Sequence, residues 1–234
     1  MTGFTEVLIT AGAFVLGLVI RLALVVLVVA AIAVPVLLAL EAGQRFAQLR
    51  RRLMGLGEVA GLQWRSGVHY AHGHTWLKSE GPRTVRVGVD GLVQRLLHGV
   101  RRVALPAPGE TVHKGQKLAE IVSDGRSVPI VAPIDGRVVR INEAVTRRPM
   151  LVEQDPYVRG WLVAIEPEKP ELALLPSNQP ARDWMHAESL RLGRFFEHDL
   201  GLAAADGGEF VVPPVTALSD ERFRALTEAF LSEG

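Results

Sequence analysis

The strongest constraint in this 234-residue sequence is an uncharged run near the N-terminus. Residues 22–40, LALVVLVVAAIAVPVLLAL, carry no ionisable side chain, and a helix needs about 20 apolar residues to cross the hydrocarbon core of a bilayer. A cleaved signal peptide is the alternative, but its apolar region is usually only about 7 to 15 residues long. The apolar stretch before the run is too short to span alone and should extend the same helix. We therefore predict one transmembrane helix, with a candidate kink at Pro35, within an anchor of residues 1–52.

Basic residues flank this predicted span asymmetrically. Four arginines follow it closely: Arg45, Arg50, Arg51 and Arg52. Residues 1–6 contain no Lys or Arg, and positive residues favour the cytoplasmic side of a membrane. The pattern predicts a single-pass protein of the cytoplasmic (inner) membrane with its C-terminal domain in the cytoplasm. Arg21, at the other end of the run, is expected to reach the headgroup layer, with a partner helix as the alternative contact.

Composition and motifs narrow the function. The chain has 26 Lys+Arg against 25 Asp+Glu, which gives no global field for capturing nucleic acid. It has no cysteine, so disulfides, thiolate metal sites and cysteine nucleophiles are excluded. The sequence lacks the phosphate-loop, zinc-protease, nucleophile-elbow and dinucleotide fingerprints. We predict no catalytic residues, no cofactor and no small-molecule substrate, and hence a protein that is not an enzyme.

The three histidines His69, His72 and His74 are the one candidate metal cluster. Neither a cysteine nor a carboxylate stands beside them, and their spacing does not match that of ligands on a helix. A metal site is therefore not expected.

After a glycine-containing linker assigned to residues 53–72, the sequence takes on a β pattern. Seven short, valine-rich runs alternate apolar and polar residues: HTWLKS, TVRVGV, VRRVAL, KLAEIV, SVPIVA, RVVRI and WLVAIE. Many short strands at close spacing predict a small barrel or sandwich. The dipeptides Pro108-Gly109, Asp124-Gly125 and Asp135-Gly136 predict tight turns between them, and GLVQRLLHG predicts a short helix.

The motifs from His74 to Pro167 resemble those of the glycine cleavage system H protein, a lipoyl-carrying relative of biotinyl and lipoyl domains. The matching residues are His74, Trp76, Gly109, Pro133, Gly136, Asp155, Pro156, Tyr157, Gly160 and Trp161. The resemblance implies a mainly β fold, a flattened barrel-sandwich hybrid spanning residues 73–167. It also implies a hairpin whose tip presents a lysine for lipoylation.

The sequence departs from this family pattern at the hairpin tip. A gapless alignment on Ala132-Pro133 places Gly125 at the lipoyl-lysine position, and glycine has no amine to acylate. Arg126 is no substitute, because its guanidinium stays protonated and is not a nucleophile. Lys114 and Lys117 lie on the other side of the hairpin and are expected to be ordinary surface lysines. A carrier modified at such an unexpected lysine is the alternative.

Residues 168–234 form a proline-rich linker and a helical extension. RDWMHAESLRLGRFFEHDL predicts an amphipathic helix. After the break at GLAAADGG, Ser219 is a candidate N-cap for a last helix with Phe223, Leu226 and Phe230 on one face. These apolar stripes must be buried, either on the barrel or on a partner.

The sequence therefore predicts a non-catalytic, membrane-anchored accessory subunit of a membrane complex. The segment EAGQRFAQLRRRLMGLG is similar to the end of the first helix of the quinone-site membrane subunit of respiratory complex I, which implies an electron-transport assembly. The expected partners are membrane lipid and other integral membrane and cytoplasmic subunits. An enzyme is the least favoured alternative.

Overall fold

The computed structural model describes residues 2–169, 171–199 and 215–232, and the chain divides into the units Met1–Leu53 and Met54–Gly234. The first unit is a single helix, α1 (Thr2–Leu53), which contains Pro35. Its segment Leu16–Arg51 is long and apolar enough to cross a membrane. The described apolar side chains there are exposed, for example Leu22 at 65% and Leu27 at 65%. Exposed apolar side chains of this kind are more favourable in lipid than in water.

The described residues of the second unit form three antiparallel sheets. A two-stranded sheet pairs β1 (Leu56–Val59) with β2 (Leu62–Arg65). A six-stranded sheet has the order β3-β4-β5-β11-β10-β7, with β3 (His69–Ala71), β4 (Thr75–Glu80), β5 (Thr84–Val89), β7 (Thr111–Val112), β10 (Gly136–Ile141) and β11 (Val163–Pro167). A three-stranded sheet has the order β6-β8-β9, with β6 (Val100–Ala104), β8 (Lys117–Ser123) and β9 (Arg126–Val131).

Five α-helices of the second unit are described: α2 (Gly91–Leu96), α3 (Glu143–Arg147), α4 (Leu151–Gln154), α5 (Asn178–Arg194) and α6 (Asp220–Phe230). Short 3-10 helices at Glu171–Leu174 and Val215–Ala217 and a π-helix at Phe195–Asp199 accompany them. The Asp90 carboxylate caps α2 by accepting the N–H groups of Leu92 and Val93. Ser219 caps α6 through the N–H of Arg222, as its position in the sequence predicts.

All three sheets contribute to one hydrophobic core. Val59 and Leu62 come from the first sheet, Val87 from the second, and Ile121 and Ile130 from the third. Each of these residues has a more exposed neighbour along its strand, so one face of each sheet is buried in the core. The mainly β fold predicted from the sequence is confirmed.

The structure differs from the linker expected at residues 53–72. This stretch contains β1, β2 and β3, and its Leu62, Val68 and Tyr70 are fully buried. The strands are only three or four residues long. So short a run shows too few alternations to be distinguished from a loop by periodicity.

The predicted tight turn at Asp135-Gly136 is wrong. Gly136 is the first residue of β10 and is absent from the residues with positive φ. A Cβ atom at Gly136 would lie 2.5 Å from the carbonyl oxygen of Glu166 on β11. Glycine is required here by the close approach of two strands rather than by a turn.

The C-terminal helices pack on the β unit. Met185 and Leu192 of α5 and Leu226 and Phe230 of α6 are buried in the same core cluster as the strands. Helix α5 begins at Asn178, four residues before the predicted start at Arg182. Pro180 does not prevent this, because it lies in the first turn of the helix, where a backbone N–H has no intrahelical partner. The glycine-rich break at 201–208 lies outside the described residues.

Candidate functional site

The β8–β9 hairpin ends in a two-residue loop, as the sequence predicts. Ser123 pairs with Arg126, which leaves Asp124 and Gly125 as the loop. Their φ angles are 46° and 87°, so both adopt the left-handed backbone of a type I′ turn. Asp-Gly suits this turn because both positions require positive φ.

Gly125 stands at the open side of this tip. A Cβ atom built on it would meet no atom of the described residues within 4 Å. Beside it lies a shallow pocket of about 500 Å³ lined by Asp124, Gly125, Arg126, Ser127, Asp220 and Phe223. The tip therefore has space for a side chain, but residue 125 supplies no amine.

Arg126, next to the tip, joins the hairpin to α6. Its Nη1 lies 3.0 Å from Oδ1 of Asp220, and its Nη2 donates to the carbonyl oxygen of Leu218. Its guanidinium carbon lies 5.1 Å from the ring centroid of Phe223. The side chain is only 20% exposed, so much of this contact is shielded from water. Arg126 thus holds the start of α6 against one side of the hairpin.

The two neighbouring lysines lie away from the tip. Lys117 is the first residue of β8, six residues before Ser123, which corresponds to roughly 20 Å along an extended strand. Its Nζ is 3.1 Å from Oε2 of Glu120. The backbone N–H of Lys114 donates to Oδ1 of Asp135 at 2.8 Å, which fixes that residue in the loop before β8.

His74 forms a buried charge cluster that sequence reasoning missed. Its Nδ1 lies 2.8 Å from Oδ2 of Asp90 and its Nε2 lies 3.5 Å from Oε2 of Glu188, while its ring stacks on Trp184 at 5.2 Å. Burial favours the neutral imidazole, but Asp90 and then Glu188 outweigh it and raise the pKa of His74 to about 9. A protonated ring with a carboxylate at each nitrogen has no lone pair to act as a base. Asp90 and Glu188 lie 16 and 114 positions after His74, so the spacing of these residues in the sequence does not indicate that they meet.

The three histidines considered as metal ligands do not share a site. Nδ1 of His69 lies 3.1 Å from the carbonyl oxygen of Leu175, and the ring of His72 packs edge-on against Trp184 at 6.2 Å. His74 is occupied by its two carboxylates.

The motif residues near the end of the β unit support its packing. Tyr157 stacks on Trp76 at 5.9 Å, donates to the carbonyl of Gln63 at 2.8 Å and accepts the N–H of Gly91 at 3.0 Å. A Cβ atom at Gly160 would lie 2.4 Å from the carbonyl oxygen of Leu151, so only glycine fits that approach.

The remaining residues singled out in the sequence are spread over the chain. Gly109, with φ 93°, lies in the turn before β7. Pro133 lies in the bend between β9 and β10, and Asp155, which precedes Pro156, pairs with Arg159 at 2.8 Å. Trp161 precedes β11. The predicted membrane-flanking residues Arg21, Arg45, Arg50, Arg51 and Arg52 all lie within α1.

Comparisons with known proteins identify the β unit. A family model described as glycine cleavage H-protein matches residues 68–186, about half of the chain. The chain is 37% identical over 112 residues to the glycine cleavage system H protein of Mycobacterium tuberculosis, covering 48% of this chain and 84% of that protein. It is 36% identical over 107 residues to a probable glycine cleavage system H protein 2 of Saccharolobus solfataricus, covering 45% and 72%.

A crystal structure of a glycine cleavage system H protein from Mycobacterium marinum is also similar, with 26% identity, a TM-score of 0.47, and coverage of 53% of this chain and 99% of that one. From the family match and the curated relatives, the chain belongs to the glycine cleavage H-protein family.

Proposed function

We propose that this protein is a non-catalytic, membrane-anchored accessory subunit of a cytoplasmic-membrane complex, which docks through an H-protein-like domain that is not lipoylated. The observation that carries the proposal is the hairpin tip, where residue 125 is a glycine in a two-residue turn. A lipoyl carrier needs a primary amine at this point, because lipoate is held in amide linkage to lysine. Gly125 offers only a hydrogen atom.

The surroundings of the tip support a contact role. Arg126, the nearest cation, is engaged by Asp220, by the carbonyl of Leu218 and by the ring of Phe223. A swinging arm attached at this place would project beside the start of α6. The hairpin serves instead as a support for the C-terminal helix.

The domain offers a rigid block for docking. Its core joins all three sheets and both long C-terminal helices. A single packed core gives a surface of fixed shape, which lowers the entropy lost when a partner binds. The partners are other integral membrane and cytoplasmic subunits, and the basic segment after the apolar run points to a respiratory or other electron-transport assembly. Helix α1 supplies the anchor, with the C-terminal unit in the cytoplasm.

One experiment tests both parts of the proposal. The full chain, purified at native abundance in a mild detergent, is measured by intact mass together with every species that elutes with it. We expect the mass of the unmodified chain and stoichiometric co-elution with membrane subunits. A lipoylated H protein from the same cells serves as the positive control for detecting the modification.

Two results would contradict the proposal in different ways. A lipoyl or biotinyl adduct on any lysine, including Lys114 or Lys117, would identify a membrane-tethered carrier instead. Elution of the chain alone as a monomer would remove the subunit role while leaving the absence of lipoate intact.

A further inference from the structure

The outer face of the six-stranded sheet carries a row of cations. Lys78 on β4 lies directly opposite Arg86 on β5, Arg86 lies opposite Ala164 on β11, and Ala164 lies opposite Arg140 on β10. Residues opposite one another in a sheet project from the same face. Three basic side chains therefore line up across four adjacent strands.

An indole ring lies among these cations. The guanidinium carbons of Arg86 and Arg140 lie 5.0 and 5.2 Å from the ring centroid of Trp161. Glu80 bridges the same two arginines: its Oε2 is 3.1 Å from Nε of Arg86 and 2.6 Å from Nη2 of Arg140. Arg86 is 31% exposed and Arg140 is 53% exposed, so the group stays open to solvent. We name Lys78, Arg86, Arg140 and Trp161 the cationic sheet face, together with Arg65 of β2 in the two-stranded sheet, whose charge acts on Lys78.

The cationic sheet face has more positive than negative charge. Arg65, Lys78 and Arg86 are close enough that Arg65 first, then burial and Arg86, lower the pKa of Lys78. Like charges directly opposite one another destabilise a sheet. Against the four cations stands Glu80, because Asp155, which also attracts Arg65, is paired with Arg159 at 2.8 Å.

The neighbouring charges on the same sheet do not change this balance. Arg137 of β10 lies opposite Glu166 of β11, and the two cancel. The cationic sheet face therefore carries more positive than negative charge. An external anion bound there would offset this excess.

We propose that the cationic sheet face binds the anionic headgroups of a phospholipid bilayer. The row of basic side chains extends across four adjacent strands. It therefore presents positive charge over an extended area, as the headgroup layer of an anionic bilayer presents negative charge. Trp is enriched at the level of headgroups, and Arg and Lys reach anionic lipid while their stems cover apolar surface. The proposal rests on the membrane anchoring proposed above, since β1 begins at Leu56, three residues after α1 ends at Leu53.

The test uses residues 54–234, which contain every residue of the described core, and circular dichroism first establishes that this fragment is folded. The fragment is mixed with vesicles of neutral phosphatidylcholine, or of phosphatidylcholine with about one third phosphatidylserine, and binding is measured by flotation. We expect binding to the anionic vesicles only, and weaker binding at high salt because the charges are screened.

A matched pair of variants separates this surface from net charge. Lys78→Glu with Arg140→Glu should weaken vesicle binding by at least about tenfold. Arg101→Glu with Arg102→Glu, exposed residues on β6 of the other sheet, changes the net charge equally and should alter binding by less than about twofold. Circular dichroism of each variant checks the fold.

Three outcomes would overturn the proposal. They are no binding of the fragment to the anionic vesicles, an equal loss of vesicle binding in the two double variants, or a fragment that binds poly-glutamate but not vesicles. None of these bears on the anchor itself, because retention of the full chain in carbonate-washed membranes measures the anchor separately.

Discussion

The buried imidazole of His74 connects two parts of the molecule that are distant in sequence. Asp90, at its Nδ1, is also the cap of α2, and Glu188, at its Nε2, lies on α5. Burying an unpaired charge is costly, whereas burying it between two carboxylates with a stacked indole is tolerated. The charged imidazole therefore adds an electrostatic link between α5 and the start of β4, beside the apolar contacts of α5.

The stability of the β unit should depend on pH through His74. Its pKa rises from 6.5 to about 9 on folding, so its contribution is fully present below pH 6.5 and is lost as pH rises through 9. We expect the free energy of unfolding to fall by on the order of 3 kcal/mol between pH 6 and 10. Urea unfolding of residues 54–234 across this range measures the fall.

His74→Gln is the control for this dependence. Glutamine keeps a hydrogen-bond donor without a titratable charge, so the variant should be less stable at pH 7 and nearly flat between pH 7 and 9. An undiminished slope in this variant would show that another group carries the pH dependence.

At the scale of elements, the contact between the hairpin and α6 depends strongly on Arg126. Phe230 and Leu226 bury the far part of α6, while Arg126 fixes its first turn through Leu218, Asp220 and Phe223. The ion pair itself adds little, because Asp220 is 93% exposed. The hydrogen bond to a carbonyl and the contact with the ring are worth more.

Replacing Arg126→Ala should release the start of α6 without unfolding the sheets. We expect a loss of about 1–2 kcal/mol from the hydrogen bond and the cation–π contact. Hydrogen exchange should become faster in residues 218–224 and stay unchanged in β8. Arg222→Ala, at an exposed position of the same helix, should change stability by less than about 0.5 kcal/mol. Uniform acceleration over the whole unit would argue against a local contact.

At the scale of the whole molecule, the β unit and α1 have separate sources of stability. The described core cluster runs from Val59 to Leu231 and takes no residue from α1. The described apolar side chains of α1 are exposed, for example Leu24 and Leu37. Lipid or detergent would remove such side chains from water.

We therefore expect residues 54–234 to be a soluble folded protein and the full chain to require detergent. Thermal unfolding followed by circular dichroism should give the same melting temperature for the β signal in both forms, within a few degrees, because no core contact is lost. A fragment that aggregates or melts much earlier would show that α1 contributes to the fold of the β unit.

The sequence predicts features whose cause is local. The type I′ turn at Asp124-Gly125, the N-cap at Ser219 and most strands each depend on a few neighbouring residues. It does not predict features whose cause lies far along the chain. Gly136 is required by Glu166 on another strand, and His74 is charged because of Asp90 and then Glu188, which come 16 and 114 positions later. The short strands β1 to β3 are defined by pairing rather than by their own pattern.

The left-handed backbone at Asp124 and Gly125 also limits how this hairpin can change by mutation. An L-amino acid with a long side chain in that conformation costs about 1–2 kcal/mol, so a lysine introduced at residue 125, where φ is 87°, would begin with this strain. A longer loop would present the same amine with less strain. A single Gly125→Lys substitution would therefore be an unfavourable route from this tip to acyl-carrying chemistry.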